Sequence, residues 1–209
     1  MAGGRFITLE GGEGAGKSTQ VQRLGAALEA AGVEVVVTRE PGGAPAAEDI
    51  RGLLVSGAVG RWDAMTETLL HFAARRCHLA DVIWPALARG AWVVSDRFAD
   101  STRAYQGIAQ GLGDDKVKRL YAIVVGDFAP DLTLVLDLPV DVGLGRATGP
   151  DDRYERMGAN FHETVRRAFL DIAAAEPARC AVVDAAGDAD SVADDIRAVV
   201  GRRLDIELS

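Results

Sequence analysis

Residues 11–19 read GGEGAGKST, and within them Gly11-x-x-x-x-Gly16-Lys17-Ser18 has the spacing of a phosphate-binding loop. Glycines at these places let the backbone curl until several N–H groups converge on phosphate oxygens, and the helix that follows adds its positive end. In such a loop Gly11, Gly12, Glu13, Gly14, Ala15, Gly16 and Thr19 form the wall around the phosphates of ATP. Lys17 bridges the outer phosphates and the Ser18 hydroxyl faces Mg²⁺. Glycine-rich chains produce this spacing by accident, so context decides; here an apolar strand precedes it and a helical pattern follows. A second acid fits the same chemistry. Trp92-Val93-Val94-Ser95-Asp96 is an apolar run ending in a carboxylate, which would stand at the edge of a sheet and hold magnesium through water. The plainer alternative is an exposed strand-end Asp.

Moving a phosphoryl group requires positive charge around it, and the arginine fork suits phosphate. Arg39, Arg75 and Arg97 each follow an expected strand or lie in a helix near the sheet edge. Arg153 and Arg156 fall in residues 147–158, ATGPDDRYERMG, a polar stretch without an apolar face. That stretch is either a solvated loop or a mobile lid.

These residues need elements to hold them. Apolar runs predict strands at Phe6–Leu9, Val33–Thr38, Ala91–Ser95, Leu132–Leu138 and Ala181–Asp184. Between the first two, Val21, Leu24, Leu28 and Ala31 share a helical face and Gly32 supplies a stop. Segments 46–57, 63–89 and 102–126 read as helical, and Val192, Ile196, Val199 and Leu204 mark a last helix. Apolar strands alternating with helices imply a parallel sheet covered on both faces. The expected fold is a P-loop α/β/α sandwich, one domain over residues 1–209, with a short lid at about 147–158.

Composition sets bounds. The chain has 209 residues, 48% of them apolar, enough for one self-sufficient core. Its 23 basic and 31 acidic residues give a net charge of −8, which argues against nucleic acid as the main partner. No apolar run approaches a membrane span, and residues 1–10 lack the pattern of a secretory signal. Cys77 and Cys180 share no short spacing with each other or with the histidines, so idle thiols in a cytosolic protein are expected.

Thr38-Arg39-Glu40-Pro41-Gly42-Gly43, Phe72-Ala73-Ala74-Arg75, Asp96-Arg97-Phe98 with Ser101-Thr102 and Ala104-Tyr105-Gln106-Gly107, and Pro130-Asp131-Leu132-Thr133-Leu134 occur in order along nearly the whole chain. Taken together, this series resembles the bacterial thymidylate kinases. The resemblance implies ATP + dTMP ⇌ ADP + dTDP with magnesium, in a homodimer formed through helices such as 63–89. It places Arg97 on the dTMP phosphate with Arg39 nearby. Arg75 and Gln106 would read the thymine edge, with Thr102 at the ring nitrogen, and Pro41, Arg51, Phe72 and Ser101 would belong to the same pocket. Tyr105 would lie under the sugar, and Glu13 would position the monophosphate from within the loop. Where one subgroup of the family has an arginine in the phosphate loop, this loop has Glu13 and Ala15. The complementary subgroup carries it in the lid, and Asp152-Arg153-x-Glu155 is similar to that. Arg153 is therefore the expected catalytic arginine, with Lys17 and Arg97. A lid salt bridge from Arg153 to Asp152 or Glu155 is the alternative.

One position departs from the family. Four residues before Arg75, where a phenylalanine usually stacks on the base, stands His71; it either stacks or packs as core. His78 and His162 have no motif around them. A kinase of another nucleoside monophosphate or of a deoxynucleoside, or a P-loop switch without a second nucleotide pocket, remain the competing readings at this level.

Overall fold

The computed structural model describes residues 3–146, 153–154 and 156–208. In chain order the elements are β1 (Phe6–Gly11), α1 (Lys17–Ala30), β2 (Val35–Arg39), α2 (Pro45–Val55), α3 (Ala64–His78) and α4 (Trp84–Ala88). They continue with β3 (Trp92–Asp96), α5 (Ala99–Thr102), α6 (Asp114–Val124), β4 (Leu132–Asp137), α7 (Val140–Arg146), α8 (Ala159–Ala175), β5 (Cys180–Asp184) and α9 (Ala189–Leu204). The five strands are all parallel, in the order β2-β3-β1-β4-β5. Each expected strand forms, displaced by at most two residues at either end.

Strand residues alternate between two covers, as a pleated strand requires. Ile7, Leu9, Val94, Leu134 and Leu136 meet Val21, Leu24 and Leu28 of α1 and Val192, Ile196 and Val200 of α9. On the other face Phe6 and Val93 pack with Phe72, Phe98 and Val117, and Val135 packs with Val165 and Phe169 of α8. The result is the expected three layers. Asp63 and Asp188 start α3 and α9 by accepting the first free backbone N–H groups, and Pro45 sits at the first turn of α2.

The helical expectations need three corrections. Ala31 is exposed just beyond α1, so it is not part of that helix's buried face; Gly32 turns the chain there with φ +83°. Residues 63–89 are one helical run, but Leu79–Ile83 within it is π-helical. Residues 102–126 are interrupted at 110–113, and Arg103–Ala109 is also π-helical. A π turn inserts an extra residue and swings the following side chains, a device frequent at functional sites. This second one carries Tyr105 and Gln106. Of the expected lid, residues 147–152 and 155 lie outside the described residues.

Candidate active site

The carboxyl ends of β1, β3 and β2 lie side by side, with Leu9 opposite Asp96 and Asp96 opposite Arg39. Ligands bind at this edge in open parallel sheets. A cavity of about 560 Å³ opens there, with the phosphate loop at one end and α3 and the 103–109 turn at the other. Glu13, Gly14, Gly16, Lys17, Ser18 and Thr19 line the first end. Arg39, Pro41, Arg51, His71, Arg75, Asp96, Arg97, Ser101, Thr102, Tyr105 and Gln106 line the rest. Gly11, Gly12, Ala15, Phe72 and Arg153 do not reach the cavity surface; Phe72 instead packs beneath Arg75, its ring 4.9 Å from the guanidinium.

At the phosphate end the backbone sets the geometry. Gly14 has φ +69°, and a Cβ on it would stand 2.0 Å from the Gly143 carbonyl oxygen of α7. Only glycine fits that approach. Lys17 donates to the Gly12 carbonyl at 2.6 Å. Burial, reinforced by the charge of Arg97, pulls its pKa down to about 8. Arg97 has φ +70°, uncommon outside glycine, and its backbone N–H donates to Leu9 O at 2.9 Å. Its guanidinium donates to Gly11 O and Ser101 Oγ, both at 3.0 Å, and to Glu13 Oε1 at 2.9 Å. Tyr105 OH donates to the same Glu13 oxygen at 2.7 Å. Burial works to raise the Glu13 pKa, but Arg97 and Lys17 outweigh it and hold the group at about 2. The acid that looks misplaced inside a phosphate loop is thus the tether that aims Arg97.

Glu10, which carries no motif in the sequence, braces the same segment. It accepts from Phe98 N at 2.8 Å and Ser101 Oγ at 2.6 Å, and burial together with Asp100 pushes its pKa up to about 7. Asp96 and Ser18 line the cavity, and among the described residues no hydrogen bond engages either side chain's oxygens. Two hard oxygen groups with room for water fit a magnesium ion, which keeps most of its hydration shell. Among the described residues no cluster of three acids, histidines or cysteines stands ready for a metal, so the protein would supply few of the ligands.

The other end is built from buried side chains. Arg75 is 2% exposed and lies between the rings of Phe72 and Phe98. Its Nε donates to Glu40 Oε2 at 2.8 Å, and its Nη2 to Phe98 O and Thr102 Oγ1, both at 3.1 Å. Glu40 Oε1 in turn meets His78 Nδ1 at 3.0 Å, and His78 Nε2 meets Thr38 Oγ1 at 2.7 Å. His78 is therefore part of the brace behind Arg75. Gly43 is required beside it, because a Cβ there would lie 2.6 Å from His78 Nε2. The remaining nitrogen, Arg75 Nη1, is buried and has no partner among the described residues. A buried donor without a partner, on a residue that lines a cavity, calls for an acceptor from a ligand.

His71 lies on the wall with its Nε2 3.0 Å from Tyr154 OH. Arg39 pairs with Glu48 through contacts of 3.0 and 2.9 Å, and Arg51 donates to Pro41 O at 2.8 Å. Arg153 is fully buried, and Asp152 and Glu155, the lid acids expected as its alternative partners, lie outside the described residues. Its guanidinium pairs with Glu67 of α3 and donates to Leu54 O at 3.1 Å. Glu40, Glu67, Tyr154 and Arg146, the last joined to Ala185 O and Ala186 O, complete the surroundings without having been expected from the sequence. One signal points to Glu67: it recurs with His71, Arg75 and His78 every three or four residues along α3, a polar stripe on one helix face. His162 is buried with neither ring nitrogen bonded among the described residues.

A parallel sheet with a phosphate loop at its carboxyl edge, opening into a second compartment that ends in buried polar side chains, defines the class of P-loop nucleotide phosphotransferases. The thymidylate kinase family matches residues 9–196. The chain is 54% identical to a thymidylate kinase of Caulobacter vibrioides, over 98% of this chain and 99% of that one. It is 50% identical to one of Bradyrhizobium sp., over 96% and 91%. A crystal structure of thymidylate kinase from Ehrlichia chaffeensis superposes with a TM-score of 0.77 at 35% identity, over 95% of this chain and 99% of that one. The chain belongs to the thymidylate kinase family.

Proposed function

We propose that the two ends of this cavity hold ATP and dTMP, so that the chain carries out its family's reaction, phosphorylation of dTMP to dTDP with ATP as donor. The observation that carries the base assignment is Arg75 on the cavity wall, whose buried Nη1 has no partner among the described residues. A thymine carbonyl is the acceptor it lacks. Gln106 and Thr102 stand beside it for the ring N–H, and Tyr105 underlies the sugar.

The substrate phosphate is itself the nucleophile, so no covalent intermediate is needed. The work is alignment and charge compensation. Lys17 draws the outer phosphates of ATP toward the loop. Arg97, aimed by Glu13 and braced through Glu10, holds the acceptor phosphate in line, with Arg39 nearby. Ser18 and Asp96 would hold magnesium, which supplies compensating charge on the phosphates. Arg153 acts at the transferring group only after leaving Glu67, which ties that step to a rearrangement of its segment.

Exposed Met65 and Leu69, one turn apart on α3, support a homodimer through that helix. Two free thiols fit a reducing cytosol. Coupled ADP-release assays across dTMP, dUMP, CMP and AMP test the substrate; a preference for any of the others over dTMP overturns it. Addition of EDTA tests the metal, and loss of turnover restored by Mg²⁺ is the expected result.

A further inference from the structure

Glu67 is 0% exposed and is absent from the cavity wall, yet it collects four donors from two separate parts of the chain. Its Oε1 accepts from Gln106 Nε2 at 2.7 Å, from Gln110 Nε2 at 2.7 Å and from Tyr154 OH at 2.9 Å. Its Oε2 pairs with Arg153. A carboxylate in an ion pair only accepts hydrogen bonds, so the part of the Gln106 amide that meets it must be the NH₂. The sense of that amide is fixed by chemistry. Turning it over would set a carbonyl oxygen against the carboxylate.

The consequence falls on the cavity. Gln106 lines it, and no described residue donates to the Gln106 carbonyl oxygen, so that acceptor is left for a ligand. The neighbouring wall includes Arg75, whose Nη1 donor has no partner among the described residues. Thr102, which accepts from Arg75 Nη2, lies four residues before Gln106 and keeps the two groups together.

We infer that Glu67 is a specificity-determining residue for the acceptor base, acting through Gln106: it locks the amide so that the pocket presents one acceptor beside one donor. A ring with N–H next to C=O, as in thymine or uracil, matches both. Cytosine mismatches both, because its ring nitrogen accepts and its exocyclic amine donates. Glu67 is thus a positioning residue that touches no substrate.

The inference rests on the reading of Arg75 and Gln106 as the base readers, and the experiment separates the two. kcat/KM is measured for dTMP, dUMP and dCMP with the full chain and with Glu67→Gln, whose amide lets Gln106 turn over. The dTMP and dUMP values should fall tenfold or more while dCMP holds or rises, narrowing selectivity by at least that factor, about 1.4 kcal/mol. An equal fall for all three overturns the lock and leaves Glu67 a purely structural role. A wild-type chain that does not prefer dTMP to dCMP overturns the base reading itself. Glu67→Asp, still an accept-only group, should keep the wild-type ratio even where the rate drops; loss of the ratio there counts against the inference. On a Gln106→Ala background, Glu67→Gln should leave the ratio unchanged, and a further tenfold change means that Glu67 acts by another route. If Glu67→Gln does not fold, the Gln106 side-chain amide in ¹⁵N-labelled wild-type protein decides. Slow, distinct amide protons that persist with dTMP support the lock, and a freely rotating amide refutes it.

Discussion

The two ends of the cavity are made of different material. At the phosphate end the main chain does most of the shaping: Gly14 takes a positive φ pressed against Gly143, and Lys17 folds back on Gly12. At the base end the shape comes from side chains bonded across long stretches of sequence. Arg75 meets Glu40 at a separation of 35 residues, Gln106 meets Glu67 at 39, and Arg153 meets Glu67 at 86. The contrast is the one the proposed ligands require. A triphosphate offers many equivalent oxygens, which backbone N–H groups satisfy without discrimination. A base edge offers one donor and one acceptor in a set order, and only oriented side chains can answer that.

This difference predicts different failures. Lys17→Ala should lower kcat by on the order of 10³-fold with little change in thermal stability, because one donor aimed at the developing charge is lost and no buried partner is orphaned. A fall below tenfold in steady-state assays would remove Lys17 from the transfer step. Arg153→Ala should also lower kcat by roughly 10³-fold. It should barely weaken dTMP binding, since Glu67 remains to hold Gln106. Unchanged kcat would take Arg153 out of the chemistry and leave it a partner of Glu67 alone. Arg75→Ala should break the other end, weakening dTMP binding by about 2–4 kcal/mol, roughly 30- to 1,000-fold. It should also destabilise the fold by about 3–5 kcal/mol, because Glu40 stays buried without its guanidinium. Calorimetric titration and urea denaturation check the two effects separately, and intact dTMP affinity would remove Arg75 from the base pocket.

The same contrast explains what is visible in the bare sequence. A loop shaped by backbone needs glycine at fixed offsets, so Gly11–Thr19 stands out from spacing alone. The strands are equally legible, because a sheet buried on both faces demands apolar runs. Glu40 is not, since an acid buried beside a distant arginine is written with the same letter as a solvated one, and Glu67 shows only as a member of the polar stripe along α3. Arg153 shows the limit in the other direction. Its motif is recognisable, but its buried pairing with Glu67 depends on a contact that no local pattern encodes. The π-helical turn at 103–109 is hidden for a related reason: its spacing differs from an α-helix by one residue, within the tolerance of any apolar period.

Titration sharpens the comparison with a smaller effect. Lys17 is brought down to about 8, first by burial and then by Arg97, so its amine is charged below that pH and neutral above it. The ATP KM should therefore rise as pH passes about 8, by up to roughly tenfold per pH unit. The dTMP KM, which depends on guanidinium groups, should stay flat over the same range. Parallel rises in both KM values would show that the two ends are not separately wired.

His71 gives the smallest effect and the closest test of the base end. Burial, aided by the charges of Arg75 and Arg153, brings its pKa down to about 3, so the ring is neutral at working pH. Its tautomer follows from its neighbour. Tyr154 spends its one hydroxyl proton on Glu67 at 2.9 Å, so the 3.0 Å contact with His71 must be donated by Nε2–H. His71→Phe removes that bond and adds ring area, changing dTMP KM by no more than about threefold, since the lost hydrogen bond and the gained area are each worth about 1 kcal/mol and oppose each other. Stability carries the clearer sign. Unfolded, the imidazole takes up a proton near its ordinary 6.5, whereas folded it stays neutral down to about 3. The unfolded state therefore binds more protons between those values, and the wild-type chain loses stability through this group as pH falls from 6.5. Phenylalanine has no such proton to bind. Denaturation at about pH 7 and about pH 5 should show His71→Phe gaining on the wild type as the solution is acidified. A difference that is the same at both pH values would mean that the ring titrates as freely in the folded pocket as outside it.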